Sequence, residues 1–181
     1  MDAFEARNSG HILIKAAYTR VTASLVNGKT THVIASISLH SKGLIRDEAK
    51  KKLQDSWRDV RYLIINEFSM ISRSFLTTLS HNITIGLEGA PYVCDSHSFG
   101  GLNVILCGDL HWFPPVACTK SEALYHPVNL AKDSDEAKIG SRIYEEFSTV
   151  VTLREQMRVT DHKWTLGADP HLPRVSIVIT L

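Results

Sequence analysis

The sequence has little of what marks disordered, fibrous or membrane-spanning chains. It holds only six prolines and ten glycines among 181 residues, and 44% of its residues are hydrophobic. No apolar run approaches the ~20 residues that a membrane span requires. The first residues carry charges and lack an apolar leader, so we expect no secretory signal. These features predict one globular domain with a sizeable core.

The sequence also has few cysteines and almost no net charge. Cys94, Cys107 and Cys118 fit no CxxC spacing, which predicts reduced, buried thiols in an intracellular protein. A zinc site built with His97 or His111 is the lesser alternative. Twenty basic and nineteen acidic residues leave a formal charge of +1, so any contact with nucleic acid must be local.

Short apolar runs alternate with helical patterns along the chain. The runs predict strands at residues 11–17, 62–65, 102–107 and 149–153, and the patterns between them predict helices at residues 47–60, 72–85 and 135–147. Residues 22–26 fit a helix or a turn, and residues 88–101 fit a loop. Strands that are apolar on both faces are typical of a buried parallel sheet. We therefore predict an α/β fold whose mostly parallel sheet carries helices on both faces.

Residues 61–72, RYLIINEFSMIS, contain the most informative strand end. Nucleotide hydrolases commonly place an acidic pair at the carboxyl end of a buried parallel strand, where it holds Mg²⁺ and activates water. Here Asn66 occupies the first position of that pair and Glu67 the second. The pattern indicates a nucleotide hydrolase, but an amide stands where the metal ligand is expected.

Gly28, Lys29 and Thr30 superficially match the end of a phosphate-binding loop. Such a loop needs a second glycine five residues earlier, where this chain has Ala23, and it should lead into a helix. Residues 31–38, THVIASIS, show little helical character. We therefore predict a turn with an exposed lysine.

Four ordered segments resemble the Pif (petite integration frequency) family of superfamily 1 DNA helicases, which includes the helicase portion of Helitron transposons. Residues 17–32, AYTRVTASLVNGKTTH, are similar to the family's second motif, APTGxAAxxIxGxTxH. Residues 61–72 are similar to its Walker B motif, LIIDEFSMIS. Residues 99–116, FGGLNVILCGDLHWFPPV, resemble FGGxxVIxxGDxxQxPPV, and residues 153–159, LREQMRV, resemble LxExMRV. The resemblance covers roughly residues 11–164. It implies a RecA-like P-loop NTPase core, with residues 1–164 as part of the first lobe and residues 165–181 as an unmatched tail.

The resemblance assigns five positions to the nucleotide side. Glu67 matches the acid that polarises the attacking water, and Asn66 stands at the position of the Mg²⁺-binding aspartate. Asp109 matches the acid of the third motif, and Trp112 replaces the glutamine that would sense the γ-phosphate. Arg158 matches the arginine expected to reach phosphate charge. Each of the last three residues also has an alternative role. Asp109 could simply close the turn that follows the predicted strand, and Arg158 could form a surface ion pair. Trp112 could be a packing aromatic or could stack on a base.

On the DNA side, Thr19 and His32 match the family motif, whereas Tyr18, Arg20 and Thr22 replace its proline, glycine and alanine. A local hydrogen-bonding role is the alternative for His32. The resemblance implies an ATP-dependent 5′-to-3′ DNA helicase that uses ATP and Mg²⁺ and acts on single-stranded DNA or duplex ends in the nucleus or mitochondrion, with no membrane partner.

The departures from the family pattern predict a truncated and catalytically impaired fragment. No GK[ST] loop precedes Ala17 in the printed sequence, Asn66 lacks the charge that Mg²⁺ prefers, and the indole of Trp112 cannot accept a hydrogen bond. The alternative is a non-catalytic, transposon-derived remnant or a weak DNA-binding or interaction module.

Overall fold

The structure is a computed structural model that describes residues 4, 6–37, 47–94, 96–109, 114–116 and 118–153, and the backbone of residues 175–180. Trp112 and Arg158 lie outside the described residues. The strands are β1 (Leu13–Ala17), β2 (Lys29–Thr30), β3 (Tyr62–Asn66), β4 (Asn103–Gly108), β5 (Thr149–Leu153) and β6 (Val175–Thr180). The helices are α1 (Arg20–Leu25), α2 (Thr31–Ile34), α3 (Asp47–Trp57), α4 (Arg73–Leu87) and α5 (Asp135–Glu145). None of these described helices has both the length and the apolar character needed to cross a membrane.

The strands form one sheet in the order β2-β1-β3-β4-β6-β5. Strands β2, β1, β3 and β4 run parallel to one another, whereas β6 is antiparallel to both β4 and β5. The predicted α/β fold with a mostly parallel sheet is confirmed. Strand β6 comes from the unmatched tail, where no strand was predicted, and it lies between β4 and β5.

One face of the sheet carries the hydrophobic core. Leu63 and Ile65 of β3 and Val104 and Leu106 of β4 are fully buried, while the residues between them are only half-buried. The buried face belongs to one apolar cluster with side chains of α3, α4 and α5, including Leu53, Trp57, Leu79, Ile83 and Ile143. The four-residue spacing of apolar positions in α3 and α4 therefore reflects burial, as the sequence predicted.

Polar side chains fix where the helices begin. Ser72 and Ser134 precede α4 and α5, and their hydroxyls accept hydrogen bonds from the backbone N–H of Phe75 and Ala137, each at 3.1 Å. Such N-caps satisfy N–H groups that have no partner within the helix. The predicted starts at residues 72 and 135 are accordingly correct to within one residue.

The turn before β4 consists of three residues with left-handed backbone. Phe99, Gly100 and Gly101 have φ angles of 54°, 62° and 79°. Glycine adopts this region without strain, which explains the glycine pair. Phe99 is held there because it is fully buried and its N–H donates to Ser80 Oγ at 2.8 Å.

Helices α4 and α5 approach one another unusually closely at Gly140. A Cβ placed on Gly140 would overlap the carbonyl oxygen of Arg73 and would lie 2.5 Å from its carbonyl carbon. Because the atoms in the way belong to the α4 backbone, they cannot move aside by a change of rotamer. The absence of a side chain at Gly140 thus sets the separation of the two helices.

A buried cation lies at the same junction. The Arg73 side chain is fully buried, with Nη1 3.0 Å from Asp133 Oδ2 and Nη2 donating to the Ser121 carbonyl at 2.6 Å. Asp133 Oδ2 also accepts from the backbone N–H of Asn129 at 2.7 Å. The Asn129 N–H first, and then Arg73, hold the pKa of Asp133 below its ordinary value.

This pairing predicts acid sensitivity. Because the folded pKa of Asp133 is depressed, its contribution to stability is present above the ordinary aspartate pKa and is lost as pH falls through the folded value. We expect Asp133→Asn to flatten the decline of melting temperature between about pH 5 and pH 2. Asp135→Asn is the control, since that carboxylate is 91% exposed. Equal pH profiles for the Asp133 variant and the unmodified chain would contradict the assignment.

Candidate functional site at the carboxyl edge of the sheet

The register of the parallel strands brings the predicted nucleotide-side residues to one edge. Ala17 of β1 lies opposite Asn66 of β3, and Asn66 lies opposite Cys107 of β4. Glu67 directly follows the last residue of β3, and Asp109 directly follows the last residue of β4. Carboxyl ends of neighbouring parallel strands are where open α/β sheets bind ligands. Both acids therefore lie at the edge that the sequence indicated.

Thr19 also lies at this edge and contacts Glu67 directly. Its hydroxyl donates to Glu67 Oε2 at 2.8 Å, and its backbone N–H is 3.4 Å from the same oxygen. The same hydroxyl accepts from the Thr22 N–H at 3.3 Å, so Thr19 is the N-cap of α1. A residue expected on the DNA side thus holds the acid expected on the nucleotide side. The sequence did not predict this contact, which joins residues 48 positions apart.

Glu67 adopts a left-handed backbone, with φ 59° and ψ 39°. For a residue other than glycine this conformation costs roughly 1–2 kcal/mol. The next residue, Phe68, is fully buried and sits against Gly108, where an added Cβ would lie 2.9 Å from the Phe68 ring. Packing of Phe68 against β4 accompanies the sharp turn that directs Glu67 toward the end of β1.

The described residues do not fit a tight Mg²⁺ site. Asn66 offers a neutral carbonyl oxygen, and Glu67 already accepts hydrogen bonds from Thr19. Asp109 is half-buried at the end of β4 and has an interaction partner of its own. Nowhere in the described part of the chain do three His, Cys, Asp or Glu side chains come together as metal ligands.

Gly28 has a packing role. A Cβ at this position would overlap the carbonyl oxygen of Lys15 and lie 2.8 Å from its carbonyl carbon, so only glycine allows β2 to pair with β1. Lys29 is exposed, as predicted. The prediction that little helix follows was wrong, because α2 begins directly at Thr31. The Thr30 hydroxyl caps α2 by accepting from the Val33 N–H at 3.4 Å, and Ile34 is buried.

Beside Thr19, three aromatic rings form a cluster, and two of them, Tyr18 and His32, line a groove. The ring centroid of Tyr18 is 5.4 Å from that of His32 and 5.7 Å from that of Phe75, and the His32 and Phe75 centroids are 4.8 Å apart. The groove has a volume of about 550 Å³. Its lining residues are Tyr18, Arg20, Thr30, His32, Val33, Ser36 and Ile37. We call this feature the aromatic groove.

The aromatic groove has neutral rings and a cationic rim. Burial lowers the pKa of His32, so its imidazole is neutral at physiological pH. Burial first, and then the nearby Cys118, raises the pKa of Tyr18. Arg20 is exposed at the rim and supplies a positive charge. The sequence indicated His32 here, but the ring cluster formed with Tyr18 and Phe75 could not be read from it.

Comparison with known proteins places this architecture in a family. The model of the PIF1-like helicase family matches residues 4–171. The ATP-dependent DNA helicase PIF6 of Trypanosoma brucei brucei is 33% identical over 112 residues, which cover 60% of this chain and 13% of that protein. The ATP-dependent DNA helicase PIF1 of Candida albicans is 32% identical over 105 residues, which cover 55% of this chain and 11% of that protein.

A solved structure agrees with the sequence relatives. The crystal structure of the Pif1 helicase from Candida albicans aligns with a TM-score of 0.51 at 25% identity, over 67% of this chain and 28% of that one. The chain thus spans only a small part of the relatives it matches. With the family model covering nearly the whole sequence, and the strand-end acids and the parallel sheet in place, the chain belongs to the PIF1-like helicase family.

Proposed function

We propose that the chain forms part of the motor lobe of an ATP-dependent 5′-to-3′ DNA helicase, acting on nuclear or mitochondrial DNA. Glu67 is the acid that activates water, and Thr19 and His32 lie on the DNA side. The contact of Thr19 Oγ1 with Glu67 Oε2 at 2.8 Å carries this proposal, because it gives DNA a direct route to the hydrolytic group. The names of the relatives, ATP-dependent DNA helicases, support it.

Glu67 is positioned to accept a proton at Oε2. The Thr19 hydroxyl and backbone N–H both donate to this oxygen, so the position of Thr19 determines where the carboxylate faces. Bound ATP would supply the phosphoryl group that is transferred to water. Asp109, Trp112 and Arg158 are proposed to complete the nucleotide side on the basis of the family motifs.

The aromatic groove is proposed as the contact for single-stranded DNA. Base stacking on an aromatic side chain contributes about 1–3 kcal/mol per base and tolerates any sequence. A volume of about 550 Å³ has room for a nucleotide, and Arg20 at the rim can pair with a phosphate. Because His32 is already neutral, stacking should not weaken between about pH 7 and pH 8.

We expect Tyr18→Ala to weaken binding of a fluorescein-labelled oligodeoxythymidylate by about tenfold, measured by anisotropy at fixed salt, because one stacking ring is lost. Tyr18→Phe should retain affinity. Tyr125→Ala is the matched control, since that ring is 52% exposed and does not line the groove. Equal losses for the Tyr18 and Tyr125 alanine variants would contradict the assignment of the groove.

One observation favours a second function, a DNA-binding module without turnover. Asn66 places an amide at the end of β3, where the family motif has its metal-binding aspartate. ATP hydrolysis stimulated by single-stranded DNA would support the motor function. Oligonucleotide binding without nucleotide binding at millimolar ATP would support the module. If Asn66 is the limiting defect, Asn66→Asp should raise Mg²⁺-dependent nucleotide affinity.

A further inference from the structure

A nucleophile and a base face each other in the loop between α4 and β4. Cys94 Sγ lies 2.9 Å from His97 Nδ1 and 3.1 Å from Ser96 Oγ, and Ser96 Oγ lies 3.2 Å from His97 Nδ1. A sulfur and an imidazole nitrogen at hydrogen-bond distance form the pairing that activates thiols. This cluster is separate from the edge occupied by Glu67 and from the aromatic groove.

Backbone hydrogen bonds hold the pair in place. The Cys94 N–H donates to the Gly100 carbonyl at 3.1 Å, and the His97 N–H donates to the Cys94 carbonyl at 3.1 Å. The Gly100 N–H in turn donates to the His97 carbonyl at 3.2 Å. Because these hydrogen bonds close the loop into a ring, they fix the backbone positions of Cys94 and His97.

A cavity of about 500 Å³ opens beside the pair. It is large enough for a short peptide-like molecule to approach the sulfur. Its lining residues are Tyr92, Cys94, His97, Ser98, Gly101, Leu102 and Glu146. Cys94 is partly exposed and His97 is exposed, so a solute can reach both.

Several charged or titratable side chains of the described residues lie around the cavity. Glu146 accepts a hydrogen bond from Ser98 Oγ at 2.7 Å. The Arg61 guanidinium lies 3.2 Å from the centroid of the Tyr92 ring and therefore faces the same wall. His97 is the titratable group in contact with the sulfur. Among the described residues, the Glu146 carboxylate and the Arg61 guanidinium both lie at this cavity, and the charge of Asp59 also reaches Tyr92.

The surroundings of Cys107 and Cys118 shift the pKa of each thiol in the direction opposite to that of Cys94. Hydrogen bonds from Ser96 first, and then from His97, lower the pKa of Cys94. Burial raises the pKa of Cys107, and burial together with Glu122 raises that of Cys118. The prediction that all three thiols are buried was wrong, since Cys118 is exposed and the other two are partly exposed. Exposure alone therefore does not distinguish Cys94, whereas its hydrogen-bonding partners do.

We propose that the Cys94–His97 pair is a reversible thiol-modification site that undergoes exchange with small-molecule disulfides such as glutathione disulfide. The Cys94 proton passes to His97, and the thiolate attacks one sulfur of the disulfide. The new sulfur–sulfur bond forms as the old one breaks, and the departing thiolate takes the proton from His97. One disulfide and one thiol are consumed, and one mixed disulfide and one thiol are produced.

The test treats the reduced full chain with millimolar glutathione disulfide at pH 7 and follows the mixed disulfide on each cysteine by peptide mass spectrometry. Cys94 should react on the order of tenfold faster than Cys118. His97→Gln should reduce the Cys94 rate to that of Cys118 and shift its pH profile upward. Cys107 reports on folding, because general unfolding would raise its labelling as well.

Three outcomes would overturn the proposal: a Cys94 rate no greater than that of Cys118, an unchanged rate in the His97 variant, or labelling of all three thiols together. Cystamine, a cationic disulfide, provides a second arm. If cystamine reacts faster than glutathione disulfide, the site prefers cationic disulfides, which the Glu146 carboxylate would attract. The Cys94–His97 pair would still be needed for the reaction. The outcome does not depend on helicase activity.

Discussion

Glu67→Gln should lower single-stranded-DNA-stimulated ATP hydrolysis by about 10²–10⁴-fold, the usual contribution of a general base. The amide keeps the size of the side chain and can still accept a hydrogen bond from Thr19, but it cannot take a proton from water. Binding of the oligonucleotide should be unchanged, because the aromatic groove does not include Glu67. Phosphate release at saturating ATP, with and without DNA, measures the effect.

Two variants make this result specific. Glu88→Gln removes a carboxylate that pairs with Lys50 at 2.6 Å beyond the end of α4, so it should leave hydrolysis unchanged. Thr19→Val removes the hydroxyl that holds Glu67, so it should change the degree of stimulation by DNA more than the basal rate. Full activity in the Glu67 variant would exclude this residue from the reaction. Absence of hydrolysis in the unmodified chain would favour the DNA-binding module.

Gly140→Ala should lower the free energy of unfolding by about 3 kcal/mol, at the upper end of the usual cost of overpacking. In an exposed helix the same change would stabilise by up to about 1 kcal/mol, because alanine has the higher helix propensity. The sign is reversed here because the added Cβ would overlap the backbone of Arg73, and α5 would have to move away from α4. Urea denaturation followed by far-UV circular dichroism gives the difference.

Gly10→Ala is the matched control, since nothing lies within 4 Å of a Cβ added there. Its free energy of unfolding should change little. A neutral or stabilising effect of Gly140→Ala would mean that the two helices separate at little cost. That result would contradict the close approach described for α4 and α5.

Local sequence patterns correctly predicted those helices and strands in which apolar residues recur at a regular spacing or form a continuous run. Leu53 and Trp57, four residues apart, identified α3, and the apolar runs around Ile65 and Leu106 identified β3 and β4. Helix α2 was missed because it depends on the Thr30 cap and on burial of Ile34 against the rest of the domain, neither of which is visible in a four-residue sequence. Strand β6 was missed for a similar reason, since its pairing with β4 joins residues far apart in the chain.

The sequence could predict which residues lie at the candidate site, but it could not predict the contacts that they make there. Glu67 was predicted from its position at a strand end and Asp109 from the family motif, and both lie at one edge because parallel strands end there. The sequence could not show that Glu67 turns into a left-handed conformation and contacts Thr19, since that depends on how Phe68 packs against Gly108. The role of Gly28 likewise depends on its distance from Lys15, which no spacing rule reveals. The roles of Trp112 and Arg158 remain predictions.

The placement of β6 has a consequence for synthesis of the chain on the ribosome. Strands β2, β1, β3 and β4 can assemble once residue 108 has emerged, whereas β5 pairs in the described sheet only with β6 and must wait for Val175–Thr180. During that interval β5 is an unpaired strand with Val150 60% and Val151 43% exposed even in the finished fold. Such strands readily pair with other chains. The nascent protein therefore has a defined period in which a chaperone that covers apolar strands would protect it.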